Sequence, residues 1–243
     1  MLTMLTRKTL LLDVDGVIFQ HKGISAAIGK RTSTLVAKVL ECDANHAQKI
    51  NKQLYTQYGH TYIGLKHIYN PPLTLQEYNN YIYDPKFIES LNEIETTKRT
   101  QQINALVEKL FLVAMAYNVR CMLYTNSPLI WLKFIKEYLK PALWINEEDW
   151  LYSNHPIFGE FGSLKPMTEN YLCVDYHIRQ INEWYCKNDI LYVDDSAINV
   201  WNIKLSNWRR IHLTSQKVVP ANNDTLFHIK NLNEITKFIK EWN

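Results

Sequence analysis

Asp13-Val14-Asp15-Gly16-Val17 follows a short apolar run and carries two acids ahead of a glycine. Carboxylates at i and i+2 of a strand point the same way, but a turn beginning at Asp15 would separate their roles. Separate roles suit acid chemistry. A carboxylate nucleophile must be ionised, whereas a partner acid must hold a proton for a leaving oxygen. Taken alone, the pattern serves equally as a strand-end turn whose acids cap backbone amides.

Three further stretches share this placement after an apolar run or a tight turn. Tyr124-Thr125-Asn126-Ser127 precedes a helical pattern. A small hydroxyl, backbone amides and the positive end of a helix make a phosphate seat, and the same residues also make an ordinary N-cap. Lys165-Pro166 follows a turn containing Gly159 and Gly162. A lysine fixed there neutralises a phosphoryl oxygen as a point charge, unless it is one more surface lysine. Asp194-Asp195-Ser196, with Asn199 downstream, closes another apolar run. Adjacent acids at a buried strand end repel unless a cation lies between them, and carboxylate oxygens suit Mg²⁺. A solvated acidic loop is the alternative.

The elements that must position these residues are legible in part. Strands buried on both faces are predicted over 10–14, 119–124, 190–193 and 210–213. Between them lie helical spacings: Ile103, Leu106, Leu110 and Val113; Leu132, Ile135 and Leu139; and Leu232, Ile235, Ile239 and Trp242. Ser127 as N-cap with Pro128 at the first position opens the second of these helices. Strands alternating with amphipathic helices predict an α/β fold with a doubly wound, mostly parallel sheet. Such sheets bind ligands at the carboxyl ends of their strands, where Asp13, Thr125 and Asp194 all fall.

Residues 20–98 differ in character. Helices are predicted over 26–40 and 44–58, with Asp43 capping the second, Gly59 ending it, and Thr74-x-x-Glu77 as a capping box. No strong strand interrupts them. They predict a helical cap inserted after the first strand, leaving 1–19 and 99–243 as the core. Tyr55, Tyr58, Tyr62 and Tyr69 offer either a stacking surface for an aromatic ligand or the packing of the cap's own small core. His60 is expected to be an exposed polar residue.

Composition narrows the partners. A formal charge of +3 over 243 residues argues for neither a nucleic acid polymer nor an anionic membrane surface. The four cysteines, Cys42, Cys121, Cys173 and Cys186, show no CxxC spacing, so free thiols in a reducing compartment are expected. Cys121 and Cys173, in apolar stretches, are expected to be buried and inert. Arg7 and Lys8 precede an apolar run, but Asp13 and Asp15 interrupt it as a signal peptide. The longest later apolar run, 110–117, is far below the roughly 20 residues of a membrane span. A soluble, cytoplasmic protein is expected, with export into another cell's cytosol left open.

Together the four stretches resemble the haloacid dehalogenase superfamily, whose four motifs occur in this order at strand ends. Asp13-x-Asp15-Gly16 matches the first, Thr125-Asn126 the second, Lys165-Pro166 the third and Asp194-Asp195 the fourth. The resemblance implies that Asp13 attacks phosphorus and that Asp15 protonates the leaving alcohol and later activates water. It implies that Thr125, Asn126 and Lys165 bind the phosphoryl group. Mg²⁺ would be held by Asp13, Asp194, the Asp15 carbonyl, and Asp195 directly or through water. An acid at position 15 points to a phosphatase, because halide loss needs none there.

Residues 58–65, Tyr-Gly-His-Thr-Tyr-Ile-Gly-Leu, are also similar to a segment of the pyrimidine 5′-nucleotidase branch. That similarity implies a nucleoside 5′-monophosphate substrate, with Tyr58, His60 and Tyr62 as specificity residues in the cap. Gly16 is not followed by that branch's leucine-tyrosine ending, and the surroundings of Lys165 match loosely. The partner is thus a phosphorylated small molecule or, alternatively, a phosphoprotein (phosphotyrosine); a non-catalytic regulatory module is the remaining alternative.

Overall fold

The computed structural model describes residues 8–94, 98–139, 145–159, 162–181, 190–203, 205, 208–216 and 225–242. Six strands form one sheet, all parallel. They are β1 (Thr9–Leu12), β2 (Arg120–Tyr124), β3 (Trp150–Leu151), β4 (Ile190–Asp194), β5 (Trp208–Leu213) and β6 (Leu226–Ile229). Their order is β3-β2-β1-β4-β5-β6, so β1 lies where the winding reverses, between β2 and β4. A crevice opens at such a reversal, beyond the carboxyl ends of the strands.

Every residue of β1 is buried, because both faces of the sheet are covered. Leu10 and Leu12 point to one face and pack with Leu123, Val193, Val107, Leu110, Ile135 and Ile235. Those last four come from α6 (Lys98–Ala116), α7 (Leu129–Leu139) and α10 (Leu232–Glu241). Leu11 points to the opposite face and joins Met122, Tyr124, Tyr192, Tyr171, Val174 and Val200. There the covering helices are α8 (Thr168–Ile181) and α9 (Ala197–Trp201). The period-two alternation of a strand thus feeds two separate apolar layers.

Between β1 and α6 come five helices: α1 (Lys22–Leu40), α2 (Ala44–Tyr58), α3 (Thr61–Ile68), α4 (Leu75–Ile82) and α5 (Pro85–Ser90). They build two small apolar clusters of their own, one around Val36, Ala47, Leu54 and Leu65, the other around Leu35, Tyr78 and Ile82. Asp43 accepts from the amides of Asn45 and His46, Thr74 and Glu77 close a capping box, and Gly59 ends α2 at φ 74°. α1 begins earlier than its apolar pattern indicates, because the His21 side chain caps it by accepting from Ile24 N.

Several expectations are corrected. β1 stops at Leu12, and Asp13 and Val14 already belong to the following turn. β3 and β6 escaped detection; one is two residues long, and the other has only one fully buried residue. α7 starts at Leu129 with Pro128 O accepting from Leu132 N, so Ser127 is not its N-cap and its hydroxyl is spent elsewhere. Cys121 and Cys173 are half-buried; burial still pushes the Cys121 thiol up to about 12. Cys186 and part of the predicted 1–19 segment, residues 1–7, lie outside the described residues. No helix among the described residues is long and apolar enough to cross a membrane.

Candidate active site

Asp13 emerges from β1 with its amide still bonded to Val193 O at 2.8 Å, which holds its carboxyl at the sheet rim. Lys165 comes to it from the loop before α8. Its ammonium donates to Asp13 Oδ1 at 2.7 Å, to Asp194 Oδ2 at 2.9 Å and to Tyr124 O at 2.9 Å. All three ammonium protons are thereby used. Lys165 is only 1% exposed, which disposes of the surface-lysine reading. Its ammonium also lies 4.7 Å from the centre of the Tyr124 ring and 5.7 Å from that of Tyr192. Burial works against this ammonium, but Asp13 and Asp194 more than offset it, and the pKa of Lys165 stays above its ordinary value.

Asp194, fully buried at the end of β4, is the most heavily bonded acid of the group. Oδ2 accepts from Lys165, from the Tyr192 hydroxyl and from Asn199 Nδ2, and Oδ1 accepts from Ser196 N at 2.7 Å. Asp195 follows on the turn, and its carboxylate lies against Gly16. A methyl built on Gly16 would fall 2.0 Å from Asp195 Oδ2, and Gly16 itself sits at φ +90°. Both facts demand glycine at the fourth position of the first motif.

Oxygens of Asp13, Asp194 and Asp195 lie within 4.8 Å of one another. Burial pushes the Asp13 carboxyl well above the usual range; Lys165 pulls it back, while the neighbouring acids add to the rise. Asp195, exposed as a residue but with its carboxyl shielded against the Gly16 turn, is pushed up to about 7 by that shielding and by Asp194. Three carboxyls this close, beside a single ammonium, repel one another when ionised. Hard oxygen donors whose ionised form needs further positive charge fit a divalent cation.

Asp15 turns away from this cluster. Trp131 Nε1 donates to Oδ1 at 2.9 Å and to Oδ2 at 3.1 Å, and Ser127 Oγ donates to Oδ2 at 3.0 Å. Thr125 Oγ1 stands 3.5 Å from Oδ2 and accepts from Ser127 N at 3.0 Å. Burial raises the Asp15 carboxyl above its ordinary value, and the bonds from Trp131 and Ser127 limit the rise. Trp131 was not singled out in the sequence, where it reads as one more apolar position of α7. Its indole N–H, which needs a partner when buried, is the signal that an acid lies opposite.

Asn126, expected to bind a phosphoryl group, turns onto the chain of Lys165, donating from Nδ2 to Lys165 O at 2.9 Å and accepting from Lys165 N at 2.7 Å. In the cap, Tyr58 packs its ring on His67, and Tyr62 packs on Tyr78. His60 is half-buried, not exposed. It caps α3 by accepting from Tyr62 N and rests on Tyr78. Gly59 of this segment comes close to the rest of the chain: a methyl there would approach Ile198, Asn199 and Pro166 to within 2.9–3.2 Å. One turn earlier Tyr55 is 57% exposed. Its hydroxyl is nevertheless held above the phenol range, first by shielding at its tip and then by Asp195, Asp13, Asp194 and Asp15. A cavity of about 520 Å³ runs along the seam between α4–α5 and the start of α7, with Asn79, Tyr83, Pro128 and Asn154 in its wall.

No protein-family model matches the chain, and no curated protein matches it in sequence. Solved structures do. A HAD phosphatase from Thermococcus onnurineus superposes with a TM-score of 0.57 at 14% identity, over 96% of this chain and 97% of that one. This is the haloacid dehalogenase (HAD) fold. A magnesium-bound HAD-hydrolase, YfnB from Bacillus subtilis, matches at 0.52 and 16% identity over 96% and 99% of the two chains. The L-2-haloacid dehalogenase from Xanthobacter autotrophicus with covalently bound chloropropionic acid matches at 0.52 and 8% identity over 98% and 100%. Phosphatases and dehalogenases thus share the HAD fold seen here, and a fold by itself assigns no chemistry.

Proposed function

We infer that the chain is a Mg²⁺-dependent phosphomonoester hydrolase that uses Asp13 as a covalent nucleophile. The observation that carries this reading is the opposite setting of two acids two residues apart. Asp13 is paired to the Lys165 ammonium at 2.7 Å within the acid cluster, whereas Asp15 turns away from that cluster and is held by the uncharged donors Trp131 and Ser127. One is suited to attack and the other to carry a proton.

Asp13, Asp194 and Asp195 would hold the cation, with the Asp15 carbonyl, and when bound it supplies positive charge to the phosphoryl oxygens. Lys165 already uses Asp13 Oδ1, which leaves Oδ2 to form the bond to phosphorus. Lys165, whose protons are spent on Asp13, Asp194 and Tyr124, stabilises the transferring group by its charge beside Asp13, and Thr125 by its hydroxyl. The bond to the ester oxygen breaks, and that oxygen takes the Asp15 proton as it leaves. Asp15, now ionised, then takes a proton from water, whose oxygen attacks the same phosphorus and releases Asp13 with inorganic phosphate. A proton donor at position 15 has no task in halide displacement, which favours the phosphatase over the dehalogenase.

Nucleoside 5′-monophosphates are the proposed substrate class. Support comes from the 58–65 segment and from Tyr55, an exposed aromatic whose hydroxyl feels all four site acids. The test is release of phosphate from an aryl phosphate with Mg²⁺ and with EDTA, followed by a panel of nucleotides and phosphotyrosine peptides. Hydrolysis that stops in EDTA and is fastest on a nucleotide is expected. Full activity in EDTA would remove the cation, and preference for the peptides would replace the nucleotide.

A further inference from the structure

Of the three side chains that bond the Asp15 carboxyl, Trp131 and Ser127 are both touched by a residue outside the four motifs. Tyr83 follows α4 on the cap side of the seam. Its hydroxyl lies 2.9 Å from Ser127 Oγ, and its ring packs on Trp131 at 5.6 Å between centres. Trp131 is otherwise fixed: it is fully buried, stacked on Phe134 at 5.1 Å and met edge-on by Phe19 at 5.6 Å. Ser127 is not fixed in this way. Its hydroxyl has a single proton and can rotate about its Cβ–Oγ bond. When the Tyr83 hydroxyl donates to the acceptor side of Ser127, the Ser127 proton is directed to Asp15 Oδ2.

We propose that Tyr83 is a positioning residue for Asp15, acting from the cap through Ser127 and setting the direction in which the carboxyl faces. The inference rests on the phosphatase reading for its kinetic consequence but not for its structural one. A misdirected acid slows departure of a poor leaving group and leaves a good one nearly untouched. Substrate affinity should not follow, because Tyr83 reaches the reacting atoms only through Ser127 and Asp15.

The experiment compares Tyr83→Phe, Ser127→Ala and the double variant, each as the full chain. Phenylalanine keeps the ring on Trp131 and removes only the hydroxyl. Two readouts are taken. The first is kcat and KM on an alkyl phosphate and on an activated aryl phosphate. Tyr83→Phe should lower kcat on the alkyl ester by up to about tenfold, the upper scale of one lost hydrogen bond between neutral groups, and on the aryl ester by less than about twofold, with KM unchanged. The second is the indole ¹H–¹⁵N resonance of Trp131, assigned by its loss in Trp131→Phe, which reports the hydrogen bond to Asp15 whether or not the protein turns over any ester. It should move in Tyr83→Phe and in Ser127→Ala. Tyr83→Phe should have no further effect on either readout in the Ser127→Ala background.

An unmoved Trp131 resonance in Tyr83→Phe, equal losses on both esters, or additive effects in the double variant would overturn the proposal. If the wild type hydrolyses no phosphate ester, the phosphatase reading falls, and the Trp131 resonance alone decides the role of Tyr83.

Discussion

The side-chain amide of Asn126 holds both backbone polar groups of Lys165, at 2.9 Å to its carbonyl and 2.7 Å from its amide. Two strand-end loops far apart in sequence are thereby joined in the manner of a strand pair, with a side chain standing in for the second strand. The clamp fixes where the lysine stem starts, and the stem in turn carries the ammonium between Asp13 and Asp194.

Asn126→Ala should therefore cost stability and activity together. Loss of two partly buried hydrogen bonds lowers the unfolding free energy by about 1–3 kcal/mol. Release of the Lys165 backbone should reduce kcat/KM on an aryl phosphate by about tenfold or more. Urea titration and phosphate release measure the two. Unchanged stability would mean that the clamp contributes nothing.

Gly16→Ala tests the cation cluster without relying on turnover. The new methyl would fall 2.0 Å from Asp195 Oδ2, and φ at this position is +90°, so Asp195 must move and the turn is strained. At about one hundred times its dissociation constant, Mg²⁺ should stabilise the wild type by about 2.7 kcal/mol. Gly16→Ala should gain less than about 1 kcal/mol at the same concentration, because one ligand is displaced. Thermal melts across a Mg²⁺ titration give the comparison, and equal gains would show that Asp195 is dispensable to the cation.

The places of Asp13, Thr125 and Asp194 were legible because an apolar run that stops on a polar residue marks the end of a buried strand, where a doubly wound sheet opens its crevice. Lys165 was harder to read. Its burial depends on Tyr124 and Tyr192, whose rings line its path, and nothing local in the 159–166 stretch shows that. Trp131 and Tyr83 were missed for the same reason: each acts through one polar atom on a side chain whose apolar bulk dominates the periodicity. In the 58–65 segment the reverse holds. Tyr58 and Tyr62 drew attention as aromatic residues, yet their rings pack within the cap, while Gly59, with no side chain, makes the approach to Asn199 and Pro166.

His60 makes stability depend on pH. Burial holds its imidazole down at about 4, against 6.5 in the unfolded chain, and its ring nitrogen accepts from Tyr62 N. Between those values the unfolded chain binds more protons than the folded one. Stability is therefore present above pH 6.5 and is lost as pH falls toward 4, by about 2–3 kcal/mol at most. Asparagine caps helices well without titrating, so His60→Asn should match the wild type within about 1 kcal/mol at pH 7 and exceed it at pH 4.5. Denaturant midpoints of both proteins at the two pH values test this. A difference that is the same at both would rule out titration of His60.

Asp13→Asn and Asp15→Asn should fail differently if the two acids do different work. An amide at position 13 keeps the shape and still meets the Lys165 ammonium, but it is a far poorer nucleophile. Turnover should fall by about a thousandfold or more on every ester, with no phosphoenzyme detected by mass spectrometry. The protein should remain folded, because an amide replaces a carboxyl whose ionised form burial already disfavours. At position 15 the nucleophile survives and the proton donor is lost. An alkyl phosphate should then slow by about a hundredfold, while an activated aryl phosphate, whose leaving oxygen needs little protonation, should slow much less. Hydrolysis of the phosphoenzyme also needs a base at this position, so phosphorylated Asp13 should accumulate in Asp15→Asn when an aryl phosphate is supplied. Rapid-quench mass spectrometry of that variant, alongside steady-state rates on both esters, separates the steps. Wild-type turnover in Asp13→Asn would remove the nucleophile from this position, and equal slowing of both esters in Asp15→Asn would mean that its carboxyl positions water or cation without transferring the proton.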